Sequence, residues 1–394
     1  MLISLAIILI CGFTLSGIFQ KLRLPGLLGM LITGIILGPY AFNLIDSNIL
    51  AISADLREIA LIVILTRAGL SLDIKDLKKV GRPAILMCFV PATFEIIGAV
   101  LLAPPLLGVT VVEAAIMGAM LAAVSPAIIV PKMLTLMEYG YGRNKNIPQL
   151  IMAGASADDI YAIVLFTSFI EVYKGDSFNF LTIVKIPVSI LTGLAVGIGF
   201  GILLVQIYKK FHIRDTIKVL IILGTSFLFV GLEEDISTII PFSGLLAVMA
   251  LGGTILKLRE VVAKRISGKF SKIWVAAELV LFVLVGAAVD TRYITGAGLA
   301  AILLIFGALI FRSVGVFVSL IKSGLNVKEA LFCNIGYLPK ATVQAAVGAI
   351  PLAAGVSAGN IILSVAVLSI IITAPLGAIL IDLTYKKLLI KGKG

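Results

Sequence analysis

The feature that most constrains this chain is a series of apolar runs, each roughly 18–25 residues long, that fills it almost from end to end. A helix of that length crosses a hydrocarbon core about 30 Å thick. Hydrophobic residues make up 60% of the 394-residue sequence and charged residues 13%, which is too apolar and too poorly charged for a soluble domain. The runs are continuous rather than alternating, which indicates helices and not the strands of a membrane barrel. The sequence therefore predicts an all-α polytopic membrane protein.

About thirteen transmembrane helices can be drawn from these runs, and they form a single transmembrane domain over residues 1–394. No segment between the runs is long enough for a soluble domain. The first run lacks a basic start and a small-residue cleavage site, so we expect a retained span rather than a signal peptide. The predicted spans are residues 2–19, 25–43, 56–72, 83–103, 110–137, 147–170, 180–207, 216–232, 238–256, 270–289, 294–321, 328–350 and 359–384.

The net charge of +11 comes from the loops between the spans. Most Lys and Arg residues follow odd-numbered spans, as in Lys75–Arg82 and Lys257–Lys269, or lie in the C-terminal tail. Basic residues in short loops mark the cytoplasmic side of a membrane protein. The pattern places the N-terminus outside and the C-terminus in the cytoplasm, in a cell (inner or plasma) membrane. It also explains the positive charge without a nucleic-acid partner.

Residue types that hold resident metals or cofactors are scarce in this sequence. Cys11, Cys88 and Cys333 lie in separate apolar runs and form no CxxC pair. The lone His212 sits in a basic loop, where a surface position is expected. We therefore expect no cofactor and no cysteine-ligated metal.

Five ionisable residues stand out inside the predicted spans: Glu95, Asp158, Asp159, Arg312 and Lys340. A charge within the bilayer costs several kcal/mol, so such residues are functional candidates. At about 1.5 Å per helical residue, Glu95 and Lys340 lie roughly 18 Å from the cytoplasmic ends of their spans. Asp158 lies roughly 16 Å and Arg312 roughly 14 Å from the same side. Unrelated charges would scatter in depth, so we predict one shared site near the bilayer midplane.

Two predicted spans carry prolines at the same depth. The fifth span reads LAAVSPAIIVPKM, with Pro126 and Pro131, and the twelfth reads IGYLPKATVQAAVG, with Pro339 next to Lys340. Proline removes a backbone donor and interrupts the helix. Broken helices that face each other at the midplane form the ion sites of many secondary transporters. Because these spans lie seven apart, an odd offset, we predict an inverted repeat with two broken crossing helices.

Asp158 and Asp159 are the candidate ion-binding residues. Carboxylates bind hard cations such as Na⁺ and also bind protons, and competition between the two ions is sufficient for exchange. Adjacent helical residues point about 100° apart, so one aspartate can line an ion cavity while the other reaches a neighbouring cation. Ser125, at the first break, is a further candidate ligand.

The basic residues divide into two kinds. Arg312 stays charged under all conditions and requires a permanent partner, for which Glu95 is the natural candidate in a structural ion pair. Lys340 can lose its proton when it is buried. Two alternatives stay open for Lys340: competition with the cation for Asp158 or Asp159, or a second structural pair.

At these residues the sequence resembles the monovalent cation/proton antiporter superfamily, in particular its double-aspartate sodium/proton antiporter branch. That branch includes the NhaA-like bacterial proteins and the animal sodium/hydrogen exchanger-like antiporters. The resemblance covers nearly the whole chain. Its motifs are LRLPGLLGMLITGIILGP (22–39), LTRAGLSLD (65–73), AAVSPAIIVPKM (122–133), GASADDIYAIVLF (154–166) and YLPKATVQAAVG (337–348).

The resemblance implies an NhaA-like antiporter fold, a homodimer, and a core that moves as an elevator. The core would comprise helices 83–170 and 294–384, and the dimerisation or scaffold helices would be 2–72 and 180–289. Asp159 would be the main carrier of cation and proton, with Asp158 as its companion. The set of Glu95, Arg312 and Lys340 resembles the animal-type subgroup, in which the Glu–Arg pair is a separate bridge.

The expected function is exchange of Na⁺ or Li⁺ for H⁺ by alternating access, with these ions as substrates and no enzymatic reaction. A K⁺/H⁺ antiporter of the same superfamily is an alternative, although such relatives usually carry one aspartate in the pair. A sodium-coupled organic-anion symporter of similar fold would need a polar substrate cavity and a different sodium motif. An ion channel would need a continuous pore. An intramembrane aspartyl protease needs its aspartates on separate helices and a GxGD motif, which is absent here.

Overall fold

The structure is a computed structural model that describes every residue except 23, 72–80, 176–179, 238–239 and 392–394. Only the backbone is described at residues 156–157, 180–187, 190, 234, 237 and 291–297. Within this part of the chain, one isolated antiparallel bridge between Tyr141 and Lys391 is the sole departure from helix, turn and loop. Some features of the sequence lie outside the described residues, namely Lys75, Lys78 and Lys79, Arg23 of the first motif, and the end of the 65–73 motif.

We label the described α-helices in chain order. They are α1 Leu2–Lys21, α2 Gly26–Leu37, α3 Ser47–Ala51, α4 Ser53–Ser71, α5 Arg82–Met87, α6 Val90–Leu107, α7 Val111–Ala122, α8 Pro126–Glu138, α9 Ile147–Lys174, α10 Phe180–Lys210, α11 Asp215–Gly231, α12 Glu233–Ser237, α13 Gly244–Leu258, α14 Glu260–Ala287, α15 Thr291–Leu320, α16 Val327–Gly336, α17 Thr342–Val347, α18 Ile350–Ala353 and α19 Gly359–Leu388.

Each predicted span coincides with one of these helices or with consecutive ones. Eight helical segments of the described chain are long and apolar enough to cross a membrane by length and composition. Shorter apolar helices at Gly26–Leu37, Gly244–Leu258 and Thr342–Ala353 match three further predicted spans, and α4 and α11 match the other two. The prediction of an all-α polytopic membrane protein is confirmed.

The fifth predicted span is broken between α7 and α8. Ala123 and Ser125 have extended backbone conformations. A proline disfavours the helical conformation in the residue before it, and Pro126 fits the first position of α8, where no amide donor is needed. Pro131, which the sequence grouped with this break, lies inside α8 and does not end it. Membrane helices tolerate the loss of one backbone bond in this way.

The twelfth predicted span is broken between α16 and α17, around Pro339 and Lys340. The two breaks are joined directly, because the amide of Ser125 donates to the carbonyl of Pro339 at 2.8 Å. The amide of Lys340 donates to Oγ1 of Thr373 in α19 at 2.9 Å. Backbone groups released from helical bonding are therefore satisfied by the bundle, as the hydrocarbon environment requires.

The first halves of the two broken spans begin with the same local motif. At the start of α7, Thr110 and Glu113 form a capping box, in which side chain and backbone satisfy each other's hydrogen bonds. Asn326 and Glu329 form the matching capping box at the start of α16. Both glutamates are buried. Neither glutamate was predicted from the sequence to matter, although the T-x-x-E and N-x-x-E spacings are typical of a capping box.

Each of these glutamates also contacts the start of a span from the other half of the chain. Oε1 of Glu113 accepts the amide of Ala358, just before α19, at 3.0 Å. Oε2 of Glu329 accepts from Nζ of Lys145, just before α9, at 2.7 Å. The two contacts correspond under the predicted offset of seven spans, so they follow the inverted repeat.

The fourth predicted span contains a break that the sequence did not reveal. It is divided at Cys88 and Phe89 into α5 and α6. Pro91 occupies the second position of α6, where its missing amide has no helical partner to lose. The helix then continues to Leu107, beyond the predicted end.

The described chain divides into two compact units. The first consists of Met1–Ala54, Asp73–Tyr173 and Leu281–Gly394, and it contains both crossing breaks. The second consists of Asp55–Leu72 and Lys174–Val280. The division into core and scaffold helices drawn from the sequence is a functional one, and it stays a prediction.

Glycine permits close helix packing within each unit. In the first unit, a Cβ on Gly34 of α2 would lie 2.0 Å from the backbone oxygen of Val283 in α14. In the second unit, a Cβ on Gly197 of α10 would lie 2.3 Å from the backbone oxygen of Ala247 in α13. Only glycine allows these helices to approach so closely, which is how small residues stabilise helix pairs in membranes.

Candidate functional site

Four of the predicted site residues meet in one buried cluster. Glu95 lies in the first half of α6, Asp158 in α9, Arg312 in α15 and Lys340 in the second crossing break. None of these side chains is more than 1% exposed. All four belong to the first unit, although they are widely separated in sequence. We call these four residues the charge cluster. They are the residues whose similar depths in the membrane predicted a single shared site.

Arg312 joins two carboxylates of the charge cluster. Its Nη1 lies 2.6 Å from Oε2 of Glu95, and its Nη2 lies 2.7 Å from Oδ2 of Asp158. Nη1 also donates to the carbonyl of Ala122, and Nε donates to the carbonyl of Tyr337 at 2.9 Å. The planar guanidinium directs all these donors at once, which a lysine ammonium cannot do. The expected Glu95–Arg312 pair is present, but it is not the separate bridge that the resemblance implied, because Arg312 also pairs with Asp158.

Lys340 pairs with Glu95 and not with an aspartate. Its Nζ lies 2.6 Å from Oε1 of Glu95, as an ion contact rather than a well-directed hydrogen bond. The same ammonium donates to the carbonyl of Leu121 at 2.5 Å. Of the two alternatives left open for Lys340, the geometry matches the structural pair.

The two neighbouring aspartates differ sharply in their partners. Oδ2 of Asp158 accepts from Arg312 and from the amide of Val124, the latter at 3.2 Å. No cationic group of the described chain lies within ion-pair distance of Asp159. Oδ1 of Asp159 is buried without a hydrogen-bond partner, and the residue is only 9% exposed. A buried carboxylate in that situation requires a proton or a cation to offset its loss of hydration.

The ionic balance of the site follows from these contacts. The charge cluster together with Asp159 holds three carboxylates and two cationic side chains, and the cations pair with Glu95 and Asp158. When every group is ionised, the site therefore carries one uncompensated negative charge, on Asp159. One proton or one monovalent cation neutralises it.

Further buried oxygens of the two breaks are available as ligands. Oγ of Ser125 and Oγ1 of Thr342 are buried and have no hydrogen-bond partner within the described chain. Ser125 directly follows Val124, whose amide binds Asp158, so its hydroxyl belongs to the same part of the site. Oxygen ligands suit hard cations such as Na⁺. Of these two residues, only Ser125 was predicted from the sequence as a candidate ligand.

Tyr337 positions α9 beside the charge cluster, a role that was not predicted from the sequence. The guanidinium carbon of Arg312 lies 5.3 Å from the centroid of the Tyr337 ring. The tyrosine hydroxyl fits against Gly154 so closely that a Cβ there would lie 1.9 Å from it. Gly154 lies one helical turn before Asp158. The contact therefore sets the distance between α9 and the second break.

Two opposite charges within predicted spans lie near each other in the other unit. Glu278 in α14 has Arg67 in α4 as its electrostatic neighbour. The sequence analysis assigned neither residue a role. Both lie outside the unit that contains the charge cluster.

Comparison with known proteins gives concordant matches. A family model described as sodium/hydrogen exchanger, transmembrane, matches residues 5–387. The human sodium/hydrogen exchanger 9B2 is 34% identical over 388 residues, a match that covers 93% of this chain and 70% of that protein. The human sodium/hydrogen exchanger 9B1 is 30% identical over 389 residues, covering 93% and 73%.

Among solved structures, the chain is similar to the sodium proton antiporter MjNhaP1 from Methanocaldococcus jannaschii at pH 8. The TM-score is 0.84 at 21% sequence identity, and the match covers 98% of this chain and 97% of that one. At this identity the likeness shows a shared fold.

Proposed function

Because this chain belongs to the sodium/hydrogen exchanger family, we propose that it exchanges Na⁺ for H⁺ at the carboxylate pair of Asp158 and Asp159. The chain is a multi-pass membrane transporter and not an enzyme. Exchange requires no cofactor, since the transported ions are the substrates.

The observation that carries the site assignment is the difference between the two aspartates. Asp158 already has a permanent partner in Arg312, whereas Asp159 has none in the described chain. A carboxylate without a cationic partner binds either a proton or a cation, and binding of one excludes the other. Asp159 is therefore the carrier, and alternating access of this one site to the two sides of the membrane gives exchange.

The remaining residues orient the carrier and complete its ligands. Arg312 and the amide of Val124 hold Asp158 in place beside Asp159. The free hydroxyl of Ser125 supplies an oxygen for the cation. Glu95 and Lys340 keep the rest of the site neutral, so that only one charge changes during the cycle.

This ionic balance favours one-for-one exchange. If Lys340 competed with the cation for an aspartate, its own proton would be released on cation binding, and two protons could move for each cation. Lys340 pairs with Glu95 instead, and it keeps that partner whether Asp159 holds H⁺ or Na⁺. One proton then moves per Na⁺, and the exchange is electroneutral.

We also propose an orientation in the membrane and an oligomeric state. The asymmetry of Lys and Arg in the loops favours an N-terminus outside and a C-terminus in the cytoplasm of a cell membrane. The resemblance to the double-aspartate antiporters supports a homodimer, and we infer that helices 83–170 and 294–384 form its core and helices 2–72 and 180–289 its scaffold.

The test is dissipation of a pH gradient in proteoliposomes on addition of Na⁺, Li⁺ or K⁺. Asp159→Asn keeps the shape of the side chain and removes its charge, so it is expected to abolish the response to Na⁺ and Li⁺. Asp55→Asn changes an exposed aspartate at the start of α4 and is expected to leave the response unchanged. Normal exchange by Asp159→Asn would show that the carrier is elsewhere, and a response to K⁺ alone would reassign the cation.

A further inference from the structure

Gln344 makes the densest set of side-chain hydrogen bonds at the first crossing break. Its Nε2 donates to the carbonyl of Ala123 at 2.9 Å, to that of Met120 at 3.0 Å and to that of Leu121 at 3.3 Å. These carbonyls lie at the end of α7, where a helix leaves its last carbonyls without partners. The side chain comes from α17, in the second broken span, and it is fully buried. One neutral amide therefore covers three carbonyls of the opposite broken helix.

The orientation of this amide is fixed by its surroundings. The opposite orientation would place Oε1 against three carbonyl oxygens, with no donor between them. In the orientation present, Oε1 is buried and has no partner within the described chain. Burying an unpaired amide oxygen is unfavourable. The three carbonyls must therefore hold the side chain in place.

The same end of α7 also draws on both cations of the charge cluster. Lys340 donates to the carbonyl of Leu121, and Arg312 donates to that of Ala122. The C-terminal end of a helix carries about half a negative charge, so it attracts cations. The carbonyls of α7 thus compete with Glu95 and Asp158 for the charges of Lys340 and Arg312.

We propose that Gln344 is a positioning residue for ion exchange, which satisfies the end of α7 with neutral donors and so leaves Lys340 and Arg312 to neutralise Glu95 and Asp158. The inference rests on the proposed function of the aspartate pair. Without the amide, the carbonyls of Met120 and Ala123 lose their only side-chain donor in the described structure. The site then becomes more negative, and it holds protons more strongly.

The charged and titratable groups around this end of α7 come from α6, α9, α15 and the second break. They are Glu95 from α6, Asp158 and Asp159 from α9, Arg312 from α15, and Tyr337 and Lys340 from the second break. Loss of a neutral donor changes none of their formal charges. Its effect is a shift in the pH range over which the site releases its proton.

The experiment measures Na⁺-driven exchange as a function of pH for Gln344→Met, which keeps the length of the side chain and removes its donors. We expect the pH of half-maximal exchange to rise by about 0.5–1 unit, because a hydrogen bond contributes about 1 kcal/mol and one pKa unit corresponds to about 1.4 kcal/mol. Gln149→Met is the matched control, because Gln149 is half-buried in α9 and its side chain makes no hydrogen bond to the end of α7 within the described chain. Gln344→Asn retains two donors on a shorter side chain and is expected to shift the profile less.

Each result bears on the proposal. A Gln344→Met protein that melts like the wild type but keeps the wild-type pH profile overturns it. If neither Gln344 variant melts cooperatively while Gln149→Met does, the residue serves only the stability of the break, which also overturns it. If instead the proposed function of the aspartate pair is wrong, Asp159→Asn will exchange Na⁺ for H⁺ normally in the same vesicles, independently of the result for the Gln344 variants.

Discussion

Substitution of Glu95 by glutamine probes the charge cluster most severely, because this one carboxylate has two cationic partners. Arg312 lies 2.6 Å from Oε2 and Lys340 lies 2.6 Å from Oε1. Glutamine has nearly the same shape, so the change removes the charge and leaves the packing intact. Arg312 then keeps Asp158 as a partner, whereas Lys340 keeps only the carbonyl of Leu121.

The magnitude follows from the complete burial of these groups. Removing one partner from a buried ion pair costs about 3–5 kcal/mol, because an uncompensated charge is left inside. Lys340 can release its proton when it loses Glu95, which favours the lower end of that range, about 3 kcal/mol. An unfolding entropy of about 2.1 cal/mol/K per residue gives about 1.2 °C per kcal/mol for 394 residues, so we expect the melting temperature to fall by about 4 °C.

The assay is thermal melting of the purified protein in detergent, with Glu138→Gln, an exposed glutamate at the end of α8, as the matched control. The double variant Glu95→Gln with Lys340→Met removes both members of the pair and is expected to recover part of the loss, as a double-mutant cycle measures. A Glu95→Gln protein that melts within about 1 °C of the wild type would show that Glu95 does not stabilise the cluster, since that shift corresponds to less than about 1 kcal/mol.

Three further substitutions test other parts of the site. Ser125→Ala removes a candidate ligand and is expected to raise the apparent KM for Na⁺ by about 3–10-fold, because about 1 kcal/mol of interaction is lost. The melting temperature should stay unchanged. An unaltered KM would show that Ser125 does not bind the cation. Glu329→Gln leaves Lys145 without its buried carboxylate and is expected to destabilise the protein by about 1–2 kcal/mol. The measurement is the melting temperature, with Glu138→Gln as the control. Equal melting temperatures of the two variants would contradict a stabilising role for the Lys145–Glu329 pair. Gly154→Ala forces a Cβ against the hydroxyl of Tyr337, so we expect it to destabilise the protein by about 1–3 kcal/mol and to slow exchange. Gly224→Ala places its Cβ in open space and is expected to be tolerated. Equal stability and exchange rates of the two variants would show that the tyrosine contact does not position α9.

The fold could be predicted from the sequence because the bilayer imposes the length and composition of each span. The crossing breaks were also visible, since proline marks a lost backbone bond. What proline does not reveal is which of two neighbouring prolines ends the helix. Pro126 begins α8 after an extended Ser125, whereas Pro131 lies within the same helix. The break at Cys88 and Phe89 was not predicted, because the sequence around it does not differ clearly from that of an uninterrupted helix.

The members of the site were predictable, but the way they pair was not. Spacing along helices gives depth, and depth brought Glu95, Asp158, Arg312 and Lys340 into one layer. Pairing depends on the rotation of each helix about its axis, and that is set by packing such as Tyr337 against Gly154. For this reason the sequence left open whether Lys340 joins an aspartate, whereas the structure places it on Glu95.

Neutral residues were the hardest to identify. Gln344 binds three carbonyls at the break, but it was not predicted, because only ionisable residues were compared by their depth in the membrane. Glu113 and Glu329 are charged, but they lie near the ends of their spans, where charge is ordinary. Only the capping-box spacing, read together with the inverted repeat, could have drawn attention to them.

If Asp159 alone is uncompensated, the site carries one ion at a time, and the proton-to-sodium stoichiometry tests this directly. Proteoliposomes are given fixed Na⁺ gradients, and the pH gradient at which net exchange stops is determined at several membrane potentials. We predict that exchange stops when the Na⁺ concentration ratio equals the proton ratio, and that the membrane potential does not move this point. A balance point that shifts with membrane potential would mean that net charge crosses in each cycle. Two protons would then move per Na⁺, and a second group, such as Lys340, would have to titrate during exchange.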